Sequence, residues 1–227
     1  KAYKIAYLSQ LGRYIPGKIW QVFGMIYLAG KEGMSRTEAI SSFALGQLLS
    51  VPPSILVSTM IFVLPAPYSL QAFDLSSLAV VLGVVVIGSL VVIFKSQWLQ
   101  VALSFVAARL GGKPIEFRLQ KSIGVRILLV YFVAWTLYGL AFYLFLISVS
   151  DFPVGHVLQA TALFCAAYVI GYWSVFAPGG IGVREAVLVL LLGPYLGTGV
   201  AAAVAALARI WSVVGEVIAS LIAVKIK

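Results

Sequence analysis

The sequence predicts an all-α integral membrane protein: a polytopic helical bundle with two broken, re-entrant Pro-Gly elements arranged as an inverted repeat. Three observations carry this reading. Of 227 residues, 62% are hydrophobic and 10% charged, and mean hydropathy is +1.07. A soluble domain carries about 25% charged residues, so the apolar runs must face lipid. Two elements, Pro16-Gly17 and Pro178-Gly179-Gly180, interrupt apolar sequence, and similar features follow each in the same order.

Residues 3–14 are apolar with interruptions at Ser9, Gln10 and Arg13, and Lys18-Ile19-Trp20-Gln21 opens a second run to Ala29. Each arm falls short of the ~20 residues that cross a bilayer, which predicts a helical hairpin entering and leaving on one side. Lys31, Glu32, Arg36 and Glu38 form a polar connection. Residues 40–64 span, with a kink expected at Pro52-Pro53, because proline removes a donor and clashes with the preceding turn. Residues 65–74 are a short loop, and 75–94 span without a charge. Residues 95–126 hold six lysines and arginines against Glu116 alone. Within them Gln97, Gln100 and Ser104 recur at helical spacing, predicting an interfacial helix or an extension of the preceding span. Residues 127–149 span, and Asp151 to His156 is a loop. Residues 157–177 run into the second break, and 186–192 make a short arm ended by Gly193-Pro194. Residues 199–224 span with Arg209 and Glu216 in their interior.

Basic residues accumulate on the cytoplasmic side, which places the 95–126 connection there. The loops at 65–74, 150–156 and 193–199 have no lysine or arginine and face outward. Charge is +9. In a soluble protein this would suggest nucleic acid; here it marks cytoplasmic loops and contact with anionic lipid, and no nucleic-acid partner is expected. The single cysteine, Cys165, lies in an apolar run and reads as a packed small hydrophobe. One Cys and one His, His156, leave no His/Cys metal site and no Cys/His catalysis. No metal or cofactor is expected, and no Gly-x-x-x-x-Gly-Lys nucleotide loop is present. The chain opens at Lys1 without methionine or a signal peptide, and is expected to begin inside a longer protein.

The repeat follows from the two breaks. Pro16-Gly17-Lys18-Ile19 and Pro178-Gly179-Gly180-Ile181 lie 162 residues apart, and the same offset pairs Gln47 with Arg209 and Ser50-Val51 with Ser212-Val213. The predicted topology starts the first unit in the cytoplasm and the second outside. The chain is thus one transmembrane domain, residues 1–227, whose inverted units cover about 1–64 and 163–226 and are linked by the spans 75–94 and 127–149. Interrupted helices at corresponding positions of inverted repeats mark a midplane site.

The second break concentrates the unusual chemistry. Proline, three glycines, Arg184 and Glu185 sit together in an apolar setting. Charges at membrane depth cost at least ~2.5 kcal/mol each and usually mark function. A helix restarting near Arg184 leaves its first amides unpaired, so they and the helix dipole can hold an anion. Arg184 and the amides after Gly179-Gly180 are therefore candidate phosphate ligands, with Glu185 orienting a cation. The bland alternative is that Glu185 caps the helix and Arg184 snorkels. Arg209 and Glu216 are seven residues apart and share a helical face; they either contact substrate or cross-pair with Glu185 and Arg184. Arg13 and Lys18 flank the first break as candidate ligands or interfacial residues. Trp20, Trp173 and Trp211 are candidate cavity walls or interfacial anchors. Gln47 and Ser50 read as glue between helices. Arg13, Lys18, Arg184 and Arg209 outnumber Glu185 and Glu216, which favours an anionic head group.

The run Pro178-Gly179-Gly180-Ile181-Gly182-Val183-Arg184-Glu185-Ala186 resembles the signature of the lysylphosphatidylglycerol synthase transmembrane family, or flippase-like domain family. Arg13-Tyr14-Ile15-Pro16-Gly17-Lys18 is similar to that family's first Pro-Gly element, and the likeness covers most of the chain. It implies movement of a lipid across a prokaryotic inner membrane: aminoacyl-phosphatidylglycerol, a glycolipid or a polyprenyl phosphate. Family members usually carry further N-terminal spans. Ile19-Trp20-Gln21 stands where many members have glycine, an acidic residue and arginine, which points to a different substrate. Two further classes stay open. A membrane-embedded enzyme would need clustered histidines or carboxylates, and the seven acidic residues are scattered, so no enzyme is expected. A scaffold for a lipid-modifying or glycosyltransferase enzyme would need no cavity open to the bilayer. A partner enzyme of lipid or glycan synthesis and a homo-oligomer are both compatible with the sequence.

Overall fold

The computed structural model describes residues 2–15, 19–60, 120–174 and 177–225, with isolated positions 87, 88, 101 and 104. The first break, Pro16-Gly17-Lys18, lies outside the described residues. So do the predicted span 75–94 and the basic connection up to residue 119, those isolated positions apart. Every element among the described residues is helical. In order they are α1 (Ala2–Gln10), a 3-10 turn (Leu11–Tyr14), α2 (Ile19–Lys31), α3 (Arg36–Ser58), α4 (Lys121–Val149) and α5 (Val157–Trp173). A 3-10 turn (Pro178–Gly180), α6 (Val183–Leu196) and α7 (Thr198–Lys225) complete the chain.

Four stretches are long and apolar enough to cross a bilayer: Arg36–Ser58, Lys121–Val149, Pro178–Leu196 and Thr198–Lys225. The protein is an integral membrane protein. The third stretch is composite. Its first residues form the 3-10 turn, with Gly179 at φ +57°, and only the 14 residues of α6 are regular α-helix. At 1.5 Å per residue α6 is about 21 Å long, against a hydrocarbon core of ~30 Å. Gly193-Pro194 does not end this arm, contrary to the sequence expectation. The helix runs on to Leu196 and stops at Gly197, φ +78°, whose N–H donates to the Gly193 carbonyl at 2.7 Å. The proline forfeits one bond near the helix end, and buried Leu188 and Leu192 hold the arm in place. Likewise α4 begins at Lys121, inside the stretch read as connection.

The helix α3 starts from a reciprocal cap. Ser35 Oγ accepts from Glu38 N–H at 3.2 Å, and Glu38 Oε2 accepts from Ser35 N–H at 2.8 Å. The helix continues through Pro52 and Pro53.

Two antiparallel helical hairpins organise the bundle. In the first, Gly12 abuts the backbone of Trp20 and Gln21, Gly24 abuts Ser9, and Ile5 packs on the cluster of Met25, Ala29 and Ala39. In the second, α5 returns as α6. A methyl group on Gly171 would sit 2.8 Å from Arg184 Cβ, while Phe152 meets Tyr195 at the open end. A long helix follows each hairpin, α3 after the first and α7 after the second. The packing is reciprocal: α1 lies on α7, and α5 lies on α3. The two 3-10 turns meet at the hairpin tips.

The core lies where α4, α5, α6 and α7 converge. Phe142, Leu146, Leu163, Leu188 and Leu192 are buried against Ala201, Ala205 and Ala208. Lipid offers apolar side chains no gain over itself, so close approach of small residues must hold such helices together. Cys165 is buried here, its sulfur 3.9 Å from the Trp135 carbonyl. The outward residues of α4, among them Leu129, Val130 and Leu137, are exposed, as a lipid-facing surface requires.

Candidate functional site

The second break is shaped by its glycines. Gly179, Gly180 and Gly182 have φ of +57°, +70° and +84°, a region costly for residues with a Cβ. A methyl group on Gly180 would lie 2.7 Å from the Gly171 carbonyl oxygen. The turn is therefore folded flat against the end of α5, which brings Arg184 under the rings of that helix.

Three amides of this turn already have acceptors within the protein. Gly180 N–H donates to Ala177 O at 3.0 Å and Ile181 N–H to Pro178 O at 3.1 Å. Gly182 N–H donates to Glu185 Oε2 at 2.6 Å. Glu185 is thus the helix cap of the bland alternative, with Oε1 left 3.6 Å from Arg209. The turn thus satisfies these three donors itself.

Three arginines converge at the hairpin tips. Arg13 pairs with Glu216 of α7 and also donates to Tyr168 Oη at 3.1 Å. Tyr14 Oη donates to the other oxygen of Glu216 at 2.6 Å. Glu216 therefore pairs with Arg13, not with Arg184. Arg209 donates to the Gly179 carbonyl at 3.0 Å and lies loosely beside Glu185; its Nη2 is buried without a partner. Arg184 is 6% exposed. Its guanidinium is stacked 5.0 Å from the ring centres of both Phe164 and Tyr168 and donates to Ser212 Oγ at 3.3 Å. Among the described residues no carboxylate lies within ion-pair range of Arg184.

Two cavities adjoin these groups, of about 570 and 310 Å³. Arg13, Gln47, Tyr168, Tyr172 and Arg184 line both. Glu216 faces the larger; Gly179, Gly180 and Arg209 face the smaller. The larger is walled by α1, α3, α4, α5 and α7, and Ser50, Ser54, Ser212 and Glu216 all line it. At the 162-residue offset Ser50 corresponds to Ser212 and Ser54 to Glu216. Matching positions of the two long helices thus look into one space.

Of the candidates read from sequence, the structure brings together Arg13, Arg184, Arg209, Glu185, Glu216, Gly179 and Gly180. Trp20 is half-exposed, packs beside Phe23 and lines neither cavity. Trp211 does line the larger one, stacked on Phe145. Lys18 and the side chain of Trp173 lie outside the described residues. Ser50 glues no helix through its hydroxyl, which bonds Gln47 O of its own helix; its carbonyl instead accepts from Trp135 Nε1 at 3.1 Å. The sequence reading did not single out Tyr168, Tyr172 or Phe164. Their signal was present: ring side chains four apart, on one face of the helix that leads into the break.

Residues 1–220 match the family model described as the lysylphosphatidylglycerol synthase TM region. No curated protein and no solved structure matches the chain.

Proposed function

The chain belongs to the lysylphosphatidylglycerol synthase TM-region family, and from that premise we propose that it binds a lipid head group between its two hairpins and moves it across the bilayer. One observation carries the reading: Arg184 is a buried cation on a cavity wall with no carboxylate to neutralise it among the described residues. Removing an ion from water costs several kcal/mol, so a site that keeps one unpaired favours an anion that can enter. Arginine's planar fork suits phosphate, since it can bond two oxygens at once. The reciprocal packing of α1 on α7 and α5 on α3 supports an inverted repeat with its axis near the hairpin tips, and the cavities lie there. The membrane is a prokaryotic inner membrane with the basic 95–126 connection in the cytoplasm. The residues act by binding and not by bond-making.

The test is lipid translocation in reconstituted vesicles beside a thermal melt. Arg184→Ala should slow translocation about tenfold or more, from loss of a charged hydrogen bond, while the melting temperature stays near the wild-type value. Arg184→Lys should fall between the two. Normal translocation in Arg184→Ala would place the site elsewhere.

A further inference from the structure

We infer that the head group this cavity takes is a phosphodiester carrying an uncharged polyhydroxyl group, and that a head group bearing an ammonium is disfavoured. The inference rests on the lipid-binding reading above and narrows its substrate class.

The argument is a count of charges and of committed groups. Among the described residues at the hairpin tips, Arg13, Arg184 and Arg209 face Glu185 and Glu216, a net charge of +1. Glu216, the carboxylate on the wall of the larger cavity, is taken by Arg13 and Tyr14. Glu185 gives Oε2 to the Gly182 amide, keeps Oε1 beside Arg209 without a hydrogen bond, and lines neither cavity. One phosphate charge balances Arg184. A lysyl or alanyl ester would then bring an ammonium into a cavity whose lining carboxylate among the described residues, Glu216, is already paired, with three arginines nearby. Aromatic faces can hold a cation without a carboxylate; beside the phosphate position those faces are Phe164 and Tyr168, and they already carry the Arg184 guanidinium. A second cation on them would repel the first.

On the larger cavity, the polar side chains that remain uncommitted among the described residues are neutral. Gln10, Gln47 and Tyr131 line the larger cavity, and no hydrogen bond among the described residues uses their side chains. Two amides and a phenol offer donors and acceptors together, which is what hydroxyl groups need, since each both gives and takes a hydrogen bond. Trp211 adds a flat apolar wall. A volume of about 570 Å³ leaves room beyond a phosphate for such a group. Glycerol, inositol and hexose phosphodiesters share this chemistry.

The experiment is lipid retention by the purified full chain, read by native mass spectrometry. The competing lipids are phosphatidylglycerol, phosphatidylinositol, a polyprenyl-phosphate hexose, phosphatidylcholine and lysyl-phosphatidylglycerol. The first three should be retained about tenfold over the last two, and their order among themselves identifies the source of the polyol. Arg184→Gln should abolish the preference for anionic lipid. Gln10→Ala with Gln47→Ala should leave phosphate binding intact but erase discrimination between the hexose-bearing and the plain polyprenyl phosphate. Equal or better retention of lysyl-phosphatidylglycerol would overturn the inference and leave the lipid-binding reading standing. Retention of no lipid above the level of Arg184→Gln would overturn both.

Discussion

Arg13, Arg184 and Arg209 are alike in charge and differ in what surrounds them, and that difference assigns their roles. Arg13 is tied to Glu216 and Tyr168 across the bundle, so its first task is to hold the first hairpin to α7. Truncating one partner of a buried pair leaves the other charge uncompensated and costs up to about 3–5 kcal/mol. Both Arg13→Gln and Glu216→Gln should therefore lower the melting temperature, and the double variant should be less damaged than the sum of the singles. A double-mutant cycle with a coupling below about 0.5 kcal/mol would contradict this. Arg184 has no such tie, so its loss should be felt in transport and not in melting. The sequence carried the identities of these residues, because charges in an apolar run are conspicuous. It did not carry the partnering. Which arginine meets Glu216 depends on how a hairpin tip docks against a helix 203 residues away, and no spacing rule encodes that.

At the scale of the element, the second break shows what a motif can and cannot tell. Proline and three glycines announce a turn, and the turn is there, with the helix restarting at Val183 beside the expected Arg184. Amides open to an anion are expected at a helix start in general, whereas three amides here, of Gly180, Ile181 and Gly182, already meet a carbonyl or a carboxylate. The end of α6 was misread for a similar reason: Gly-Pro commonly stops a helix, but packing of Leu188 and Leu192 carries this one past it. Gly180 gives the sharpest test of the turn. Alanine there meets a left-handed backbone, worth about 1–3 kcal/mol, and the Gly171 carbonyl at 2.7 Å. Gly180→Ala should destabilise the protein. It should also push Arg184 off the Phe164 and Tyr168 rings, so translocation falls even at temperatures where the fold survives. Gly199→Ala, where a methyl group meets nothing within 4 Å, should leave both unchanged.

Across the whole molecule, the integral-membrane class and most helix positions were legible, because long apolar runs and their length limits are written directly in composition. The cavities were not, since their walls come from helices far apart in sequence. The proposed orientation is checked by labelling a single cysteine at Lys113→Cys in a Cys165→Ser background; reaction from the cytoplasmic side is expected, and reaction from the outer side would reverse the topology. The Arg13–Glu216 pair has one more consequence, in the order of synthesis. Ribosomes deliver α1 well before α7, so until α7 arrives the first hairpin holds its arginine uncompensated. Arms of 9 and 13 residues, as in α1 and α2, are too short to span (about 20 residues are needed), and they have little apolar length with which to resist slipping back to water. The later helix α7 brings the carboxylate that lets the first hairpin stay. Nascent chains stalled before residue 216 should accordingly leave a cysteine at position 14 open to a water-soluble thiol reagent, and chains released after α7 has inserted should protect it.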